Sequence, residues 1–375
     1  MSTSVNAPDE APPGAGLDIP GSGLLHDRKP PLRQRPRGAS ALRPAQRGRW
    51  LLLSGTFFIV VLLAATLGAP VPLSDLWSGD GARVETARQI FLTLRLPRVL
   101  AGVLVGASLA TSGAALQAVF RNPLAEPYLL GISAGGALGA TIALAFQIPA
   151  IGALDPAAVL AFLGSLAASL LVYQLGQTSG ARTFSHGGFD RAALLLSGVA
   201  LSSFITALMA LVVTLSPNPT LAQQTTFWLL GGLTNATMAQ NGILAVTLVA
   251  GLVILMASAR DLNALRVGDE EAASLGVEIG ALHRRLLVAT ALMSSAAVAT
   301  AGLIGFVGLL APHLMRLLFS SDARAHIPAA ALGGACLLVG CDALARSAVP
   351  PIEVPVGIIT ALLGVPLFLF LARRA

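Results

Sequence analysis

Residues 192–215 read AALLLSGVALSSFITALMALVVTL, twenty-four positions without one charged side chain. As a helix rising about 1.5 Å per residue, such a run exceeds the ~30 Å hydrocarbon thickness of a bilayer. Nine further apolar runs lie outward from it, at roughly 51–69, 99–119, 129–148, 157–175, 242–259, 286–303, 304–319, 327–346 and 354–372. Hydrophobic residues make up 55% of the 375 and charged residues only 11%, against roughly a quarter charged in a soluble domain. Too few charges remain to cover a water-facing surface. The 39 glycines are spread through the apolar runs, as suits helices packed backbone-close in lipid. The composition therefore dictates an all-α membrane protein of about ten transmembrane helices.

Two segments leave alternatives open. Leu286 to Phe319 reads as one long tilted helix or as two short ones, with Gly302, Gly305, Gly308 and Pro312 favouring a break. Phe227–Thr234 is too brief to span and reads as a re-entrant or interfacial piece. Residues 1–49 are rich in Pro, Gly and Arg without apolar period, which predicts a disordered basic tail, with the ten-helix transmembrane region occupying 50–375. Eight cations lie between Arg28 and Arg49, directly before the first run. A signal peptide has the same order of charge and apolarity, but this run is long for one. A first membrane helix with a cytoplasmic tail fits better. Cys336 and Cys341 stand about 140° apart around one helix and read as small core residues.

The formal charge of +6 would suggest nucleic acid in a soluble chain; here arginines retained at cytoplasmic helix ends account for it. With ten spans and a cytoplasmic N-terminus, nineteen cations fall inside and five outside, the latter being Arg83, Arg88, Arg95, Arg98 and Arg346. Removing one span would carry Arg373 and Arg374 outside and weaken the bias. Both termini are thus expected in the cytoplasm.

No catalytic constellation is visible. The histidines at 26, 186, 283, 313 and 326 lack metal-ligand spacing, and the carboxylates Glu126, Asp342 and Glu353 are scattered. No phosphate-binding loop of the Walker type occurs, so ATP would have to be handled by another subunit. Ion-coupled transporters usually carry ionisable residues mid-membrane, and this chain has almost none, which points to an external motor.

Several stretches resemble one family. They are Arg95-Leu96-Pro97-Arg98, Gly102 to Gly113 with Gln117, Arg121-Asn122-Pro123-Leu124-Ala125-Glu126-Pro127, and Leu130-Gly131-Ile132-Ser133. Phe227 to Leu233, Gly268 to Gly276, Gly305 to Leu309 with Pro312, His313 and Arg316, and Pro355-Val356-Gly357 with Thr360 follow in order. Together they resemble the FecCD-type permeases, the membrane subunits of siderophore, haem and vitamin B12 ABC importers. The resemblance implies a type II importer permease fold of ten helices in a bacterial inner membrane. It also implies a second permease subunit, identical or related, two cytoplasmic ABC ATPases that carry ATP and Mg, and a substrate-binding protein. The chain itself would bind no cofactor and catalyse nothing. Siderophore is the favoured cargo, with haem and cobalamin behind it.

The resemblance also distributes roles. In the loop 261–283, Gly268 followed by Asp269, Glu270 and Glu271 reads as a helix start with first-turn acids, and Gly276 as its C-terminal cap. The residues alone allow an ordinary connector; the resemblance makes Gly268 to Ala273, Leu275 and Gly276 the ATPase-coupling knuckle. Arg95, Arg98 and Arg346 would ring the outer mouth and meet acids of the binding protein. For the first two, anchoring to lipid headgroups stands as the alternative. For Arg346 the alternative is an i, i+4 pair with Asp342. Asn122 and Leu124 would help close an inner gate, though Asn-Pro-Leu is also an ordinary helix terminator. Ser202, Ser203 and Thr206 would line the path or else join helices through their hydroxyls. An ion-coupled transporter, a membrane enzyme on lipid-linked substrates and a passive channel are the rival readings.

Overall fold

The computed structural model describes residues 44–66, 81–150, 152, 155–180, 191–349 and 352–372. The tail through Arg43, Arg182 and Arg373–Arg374 lie outside the described residues. Among the described residues the chain is helical, without a strand, apart from an isolated bridge between Val349 and Ile352. The helices are α1 (Pro44–Thr66), α2 (Gly81–Ile90), α3 (Leu96–Val119), α4 (Ile132–Ala145), α5 (Pro156–Gly180), α6 (Arg191–Leu215) and α7 (Leu221–Leu230). They continue with α8 (Met238–Ala257), α9 (Ala259–Leu265), α10 (Asp269–Ser274), α11 (Ile279–Ala301), α12 (Val307–Leu318), α13 (Ala323–Ser347) and α14 (Val356–Ala372).

Each of the ten apolar runs falls on a helix. Six described helices are long and apolar enough to cross a membrane, and three shorter ones, within α4, α12 and α14, are also apolar. The stretch from Leu286 to Phe319 is broken. Gly302 adopts φ +67°, Phe306 also sits at φ +67°, and α12 restarts at Val307. Pro312 does not break the chain; it lies inside α12.

Two boundaries differ from expectation. Helix α1 begins at Pro44, so the end of the basic tail, with Arg47 and Arg49, is helical. The second span extends back to Gly81, because α2 and α3 run on through a π-turn at Phe91–Arg95. Pro97 supplies no N–H and its ring crowds the carbonyl four residues back. The widened turn, closed by the Leu96 N–H onto the Phe91 carbonyl, accommodates that defect without ending the helix. The polar sequence of 81–95 carries no apolar run, which is why hydropathy missed it.

Helix α3 is the central pillar. Its apolar window is 83% buried, whereas those of α1 and α6 are 11% buried and lie at the periphery. Close approach explains the packing. A Cβ on Gly106 would stand 2.3 Å from the Gly334 carbonyl on α13, and one on Gly113 would stand 1.8 Å from the Gly308 carbonyl on α12. No side chain fits either crossing. Leu109, Leu116 and Leu286 are fully buried around this pillar.

Candidate functional site

Two polar constructions occupy opposite ends of α3, about 35 Å apart along its axis. At the first end, Arg98 donates from Nε and Nη2 to Oδ1 of Asp342 at 3.1 and 3.0 Å, and from Nη1 to Oε2 of Glu353 at 2.9 Å. The other oxygen of Asp342 meets Nε of Arg346 at 3.1 Å, and Arg346 also donates to the Ala64 carbonyl of α1. Thr234 donates to the same Glu353 oxygen. Two guanidiniums and two carboxylates thus close a neutral network joining α1, α3, α13 and the segment before α14. Asp342 and Arg346 are deeply buried, while the Glu353 side chain is 47% exposed. Burial alone would raise the Glu353 carboxyl. The Arg98 hydrogen bond and charge, the Thr234 hydroxyl and Arg346 outweigh it and hold that carboxyl below its ordinary range.

Arg95 is only 9% exposed, in the π-turn, and borders an apolar recess with Phe58, Leu62 and Val99. The three arginines expected as a rim are therefore turned into the chain, with Glu353 the exposed member of the group. The i, i+4 pair of Asp342 and Arg346 forms. A cavity of about 670 Å³ opens beside the network, bordered by Arg98, Asp342, Glu353, Trp228, Gln224 and Asn235. Helix α7 contributes to that wall and ends at Leu230, so Phe227–Thr234 is a short helix end and loop, and no span.

At the other end stands α10. Gly268 precedes it in extended conformation and Gly276 follows it at φ +86°, as the cap pattern predicts. Its length of six residues is close to two turns. Arg191, at the start of α6, donates to the Val119 carbonyl at 2.8 Å and to Asp269 at 2.5 Å. Ala272 is fully buried in the main core, whereas Glu270, Glu271 and the Leu275 side chain face outward. Val267 is 70% and Leu275 72% exposed. The result is a stiff knuckle tied to the ends of α3 and α6, presenting two acids and two apolar tips. Of these anchors, neither Arg191 nor Val267 was singled out by the sequence; the pairing of Arg191 with Asp269 spans 78 positions.

Between these ends, the loop after α3 is stitched to the break between α11 and α12. The Asn122 side chain accepts from the Leu124 N–H at 2.9 Å, a local turn that leaves Leu124 42% exposed. Tyr128 both donates to the Ile304 carbonyl and accepts from the Ile304 N–H, each at 2.9 Å. Glu126 accepts from the Phe306 N–H at 3.0 Å. Desolvation lifts the Glu126 carboxyl above its ordinary range, against the pull of that N–H. Two side chains thereby satisfy backbone groups that the broken helix leaves open. The sequence placed Glu126 merely in a loop.

On α6, Ser203 and Thr206 are exposed and bond to their own helix at the carbonyls of Val199 and Ser202. Ser202 is half-buried, its hydroxyl close to Gly131. Among the described residues, Ser203 and Thr206 therefore make no helix-to-helix hydrogen bond through their hydroxyls. Among the described residues no group of three or more His, Cys, Asp or Glu could hold a metal.

Residues 53–374 match the FecCD transport family. The hemin transport system permease protein HmuU of Yersinia pestis is 41% identical over 330 residues, covering 86% of this chain and 96% of that protein. The cobalamin import system permease protein BtuC of Halobacterium salinarum is 40% identical over 289 residues, covering 77% of this chain and 74% of that protein. A solved structure described as an inward-facing metal-chelate type ABC transporter superposes with a TM-score of 0.75 at 30% identity. It covers 87% of this chain and 99% of its own. The family match and these relatives bear out the family resemblance read from the sequence. This chain is a multi-pass membrane protein of the FecCD transport family, a permease subunit of the type II ABC importer kind.

Proposed function

We propose that this permease sits in a bacterial inner membrane with ten spans and both termini in the cytoplasm. It pairs with a second permease subunit, identical or related, and is driven by two ABC ATPases that carry ATP and Mg. The basic tail marks the cytoplasmic side, and residues from 50 onward form the translocating domain. The single observation that carries this reading is the α10 knuckle: Ala272 is buried in the core while Glu270, Glu271 and Leu275 project from it. The clamp of Asp269 by Arg191 lets a push on the knuckle move α3 and α6 as rigid bodies. Gly268 to Ala273, Leu275 and Gly276 are thus the coupling residues. Ala272→Pro tests this, since the Ala272 N–H bonds to the Gly268 carbonyl at 3.0 Å and proline would remove it. ATPase activity uncoupled from uptake, in a chain still inserted, is the expected result; full coupling would refute the role.

The Arg98 end faces outward and receives a substrate-binding protein. Its acids would meet Arg98, Arg95 and Arg346, and the exposed Glu353 is the carboxylate most readily exchanged for one of them. Asn122 and Leu124 lie at the cytoplasmic gate, and Ser202, Ser203 and Thr206 border the path where a partner subunit covers α6. The cargo is a large metal chelate. Haem ranks with siderophore here, because the hemin permease matches over nearly its whole length. Binding of haem, a ferric siderophore and cobalamin by the cognate binding protein separates these choices.

A further inference from the structure

The knuckle end of the bundle holds a recess that the transport reading leaves unused. It has a volume of about 190 Å³ and lies among the ends of α3, α9, α12 and α13. Arg121, Arg266 and Arg316 border it, with Gln117 and His326. Among the described residues none of the three arginines forms an ion pair. Arg316 donates to the buried Gln117 side chain at 2.9 Å, and Arg266 to the Ser321 carbonyl. Gln117 in turn donates to the Leu309 carbonyl, so its amide is held in place. The nearby carboxylate, Asp322, is occupied by Asn263 and by the Arg324 N–H at the start of α13.

Arginines at helix C-terminal ends have an ordinary explanation in the helix dipole. That explanation does not reach His326. Its side chain is 6% exposed, borders the recess, and among the described residues neither ring nitrogen has a hydrogen-bond partner. Buried polar groups ordinarily find one. A recess with three guanidiniums, an oriented amide and an unsatisfied imidazole fits a tetrahedral oxyanion. Its surroundings indicate the source. Leu317 and Leu318, next to Arg316, are 66% and 53% exposed, and Leu51 and Leu52 of α1 are more than 70% exposed. Arg49 of α1 donates to the Leu318 carbonyl, and Trp50 packs on Phe319 at 4.8 Å, so that α1 flanks the same helix end. Acyl chains would lie on these apolar surfaces while a headgroup entered the recess.

We propose that this recess binds the phosphodiester headgroup of an anionic membrane lipid. The test is native mass spectrometry of the purified permease in detergent, titrated with phosphatidylglycerol or phosphatidylcholine, with inorganic phosphate as a separate competitor. Selective retention of phosphatidylglycerol is expected, weakened about tenfold (~1.4 kcal/mol) by Arg266→Gln or Arg316→Gln. Arg266→Gln guards against misfolding, because Arg266 is exposed and, among the described residues, hydrogen-bonds to a loop carbonyl with the Asp322 carboxylate near it. Equal retention of both lipids, or no effect of either substitution, would overturn the proposal. Displacement by dilute inorganic phosphate would identify a free-phosphate site and overturn the lipid assignment. In the same measurement on permease purified together with its ATPase subunits, unchanged lipid retention with loss of those subunits in either variant would make the recess a protein-docking site, and the proposal would fail.

Discussion

Removing the carboxylate at Asp342 is the sharpest perturbation of this architecture. Its two oxygens neutralise Arg98 and Arg346 separately, and its side chain is only 4% exposed. Asp342→Ala would leave Arg346, itself 6% exposed, facing Arg98 with no carboxylate between them. Breaking a buried pair by deleting one partner costs about 3–5 kcal/mol, because the remaining charge is uncompensated. Arg98 keeps Glu353, so the loss should fall near ~3 kcal/mol. A double-mutant cycle distinguishes charge pairing from simple packing. Arg346→Met in the Asp342→Ala background should recover part of the loss, since it deletes the stranded charge and keeps much of the side-chain volume. Stability would be followed by thermal unfolding in detergent, with folded monodisperse protein as the control. Strictly additive effects of the two substitutions, or a loss under about 1 kcal/mol for Asp342→Ala, would refute the network as a structural unit.

Other outcomes test neighbouring features. Tyr128→Phe strands the N–H and carbonyl of Ile304 and should cost about 1–3 kcal/mol per unsatisfied group; a neutral effect in the same unfolding assay would show the stitch to be dispensable. The Glu353 carboxyl is held below its ordinary range, so its contribution is present above the unfolded value and is lost as pH falls through the lowered one. Being half-exposed, it should contribute no more than about 1 kcal/mol. Glu353→Gln should flatten the acid limb of stability, and an unchanged limb would exclude Glu353 as its source. Cysteine labelling after Arg83→Cys and Arg35→Cys should mark the first from outside and the second from inside; reversal would invert the topology.

A small set of residues carried the information available locally. Gly268 and Gly276 bracket α10 because a helix boundary is written in the few residues at its ends. Gly302 announced the break before α12, since a positive φ suits glycine, but the second turn of that break falls on Phe306, which no propensity would select. Phe306 is held there with its N–H on Glu126, a contact across 180 positions. The π-turn at Phe91–Arg95 was likewise hidden, because 81–95 is polar enough to resemble a loop.

The sequence by itself determined that this chain lives in lipid, because the absence of charge over runs as long as a bilayer is thick leaves no soluble alternative. It also indicated where the apolar helices lie and where Gly268 and Gly276 bracket α10, both of which depend on residues within a few turns of each other. Only the tertiary structure decided what the outlying charges do. Arg98 finds Asp342 across 244 positions, Arg191 finds Asp269 across 78, and Arg121, Arg266 and Arg316 converge from the C-terminal ends of three helices. Which guanidinium meets which carboxylate is set by how closely the helices cross at glycines such as Gly106 and Gly334, a geometry that no local pattern of residues encodes.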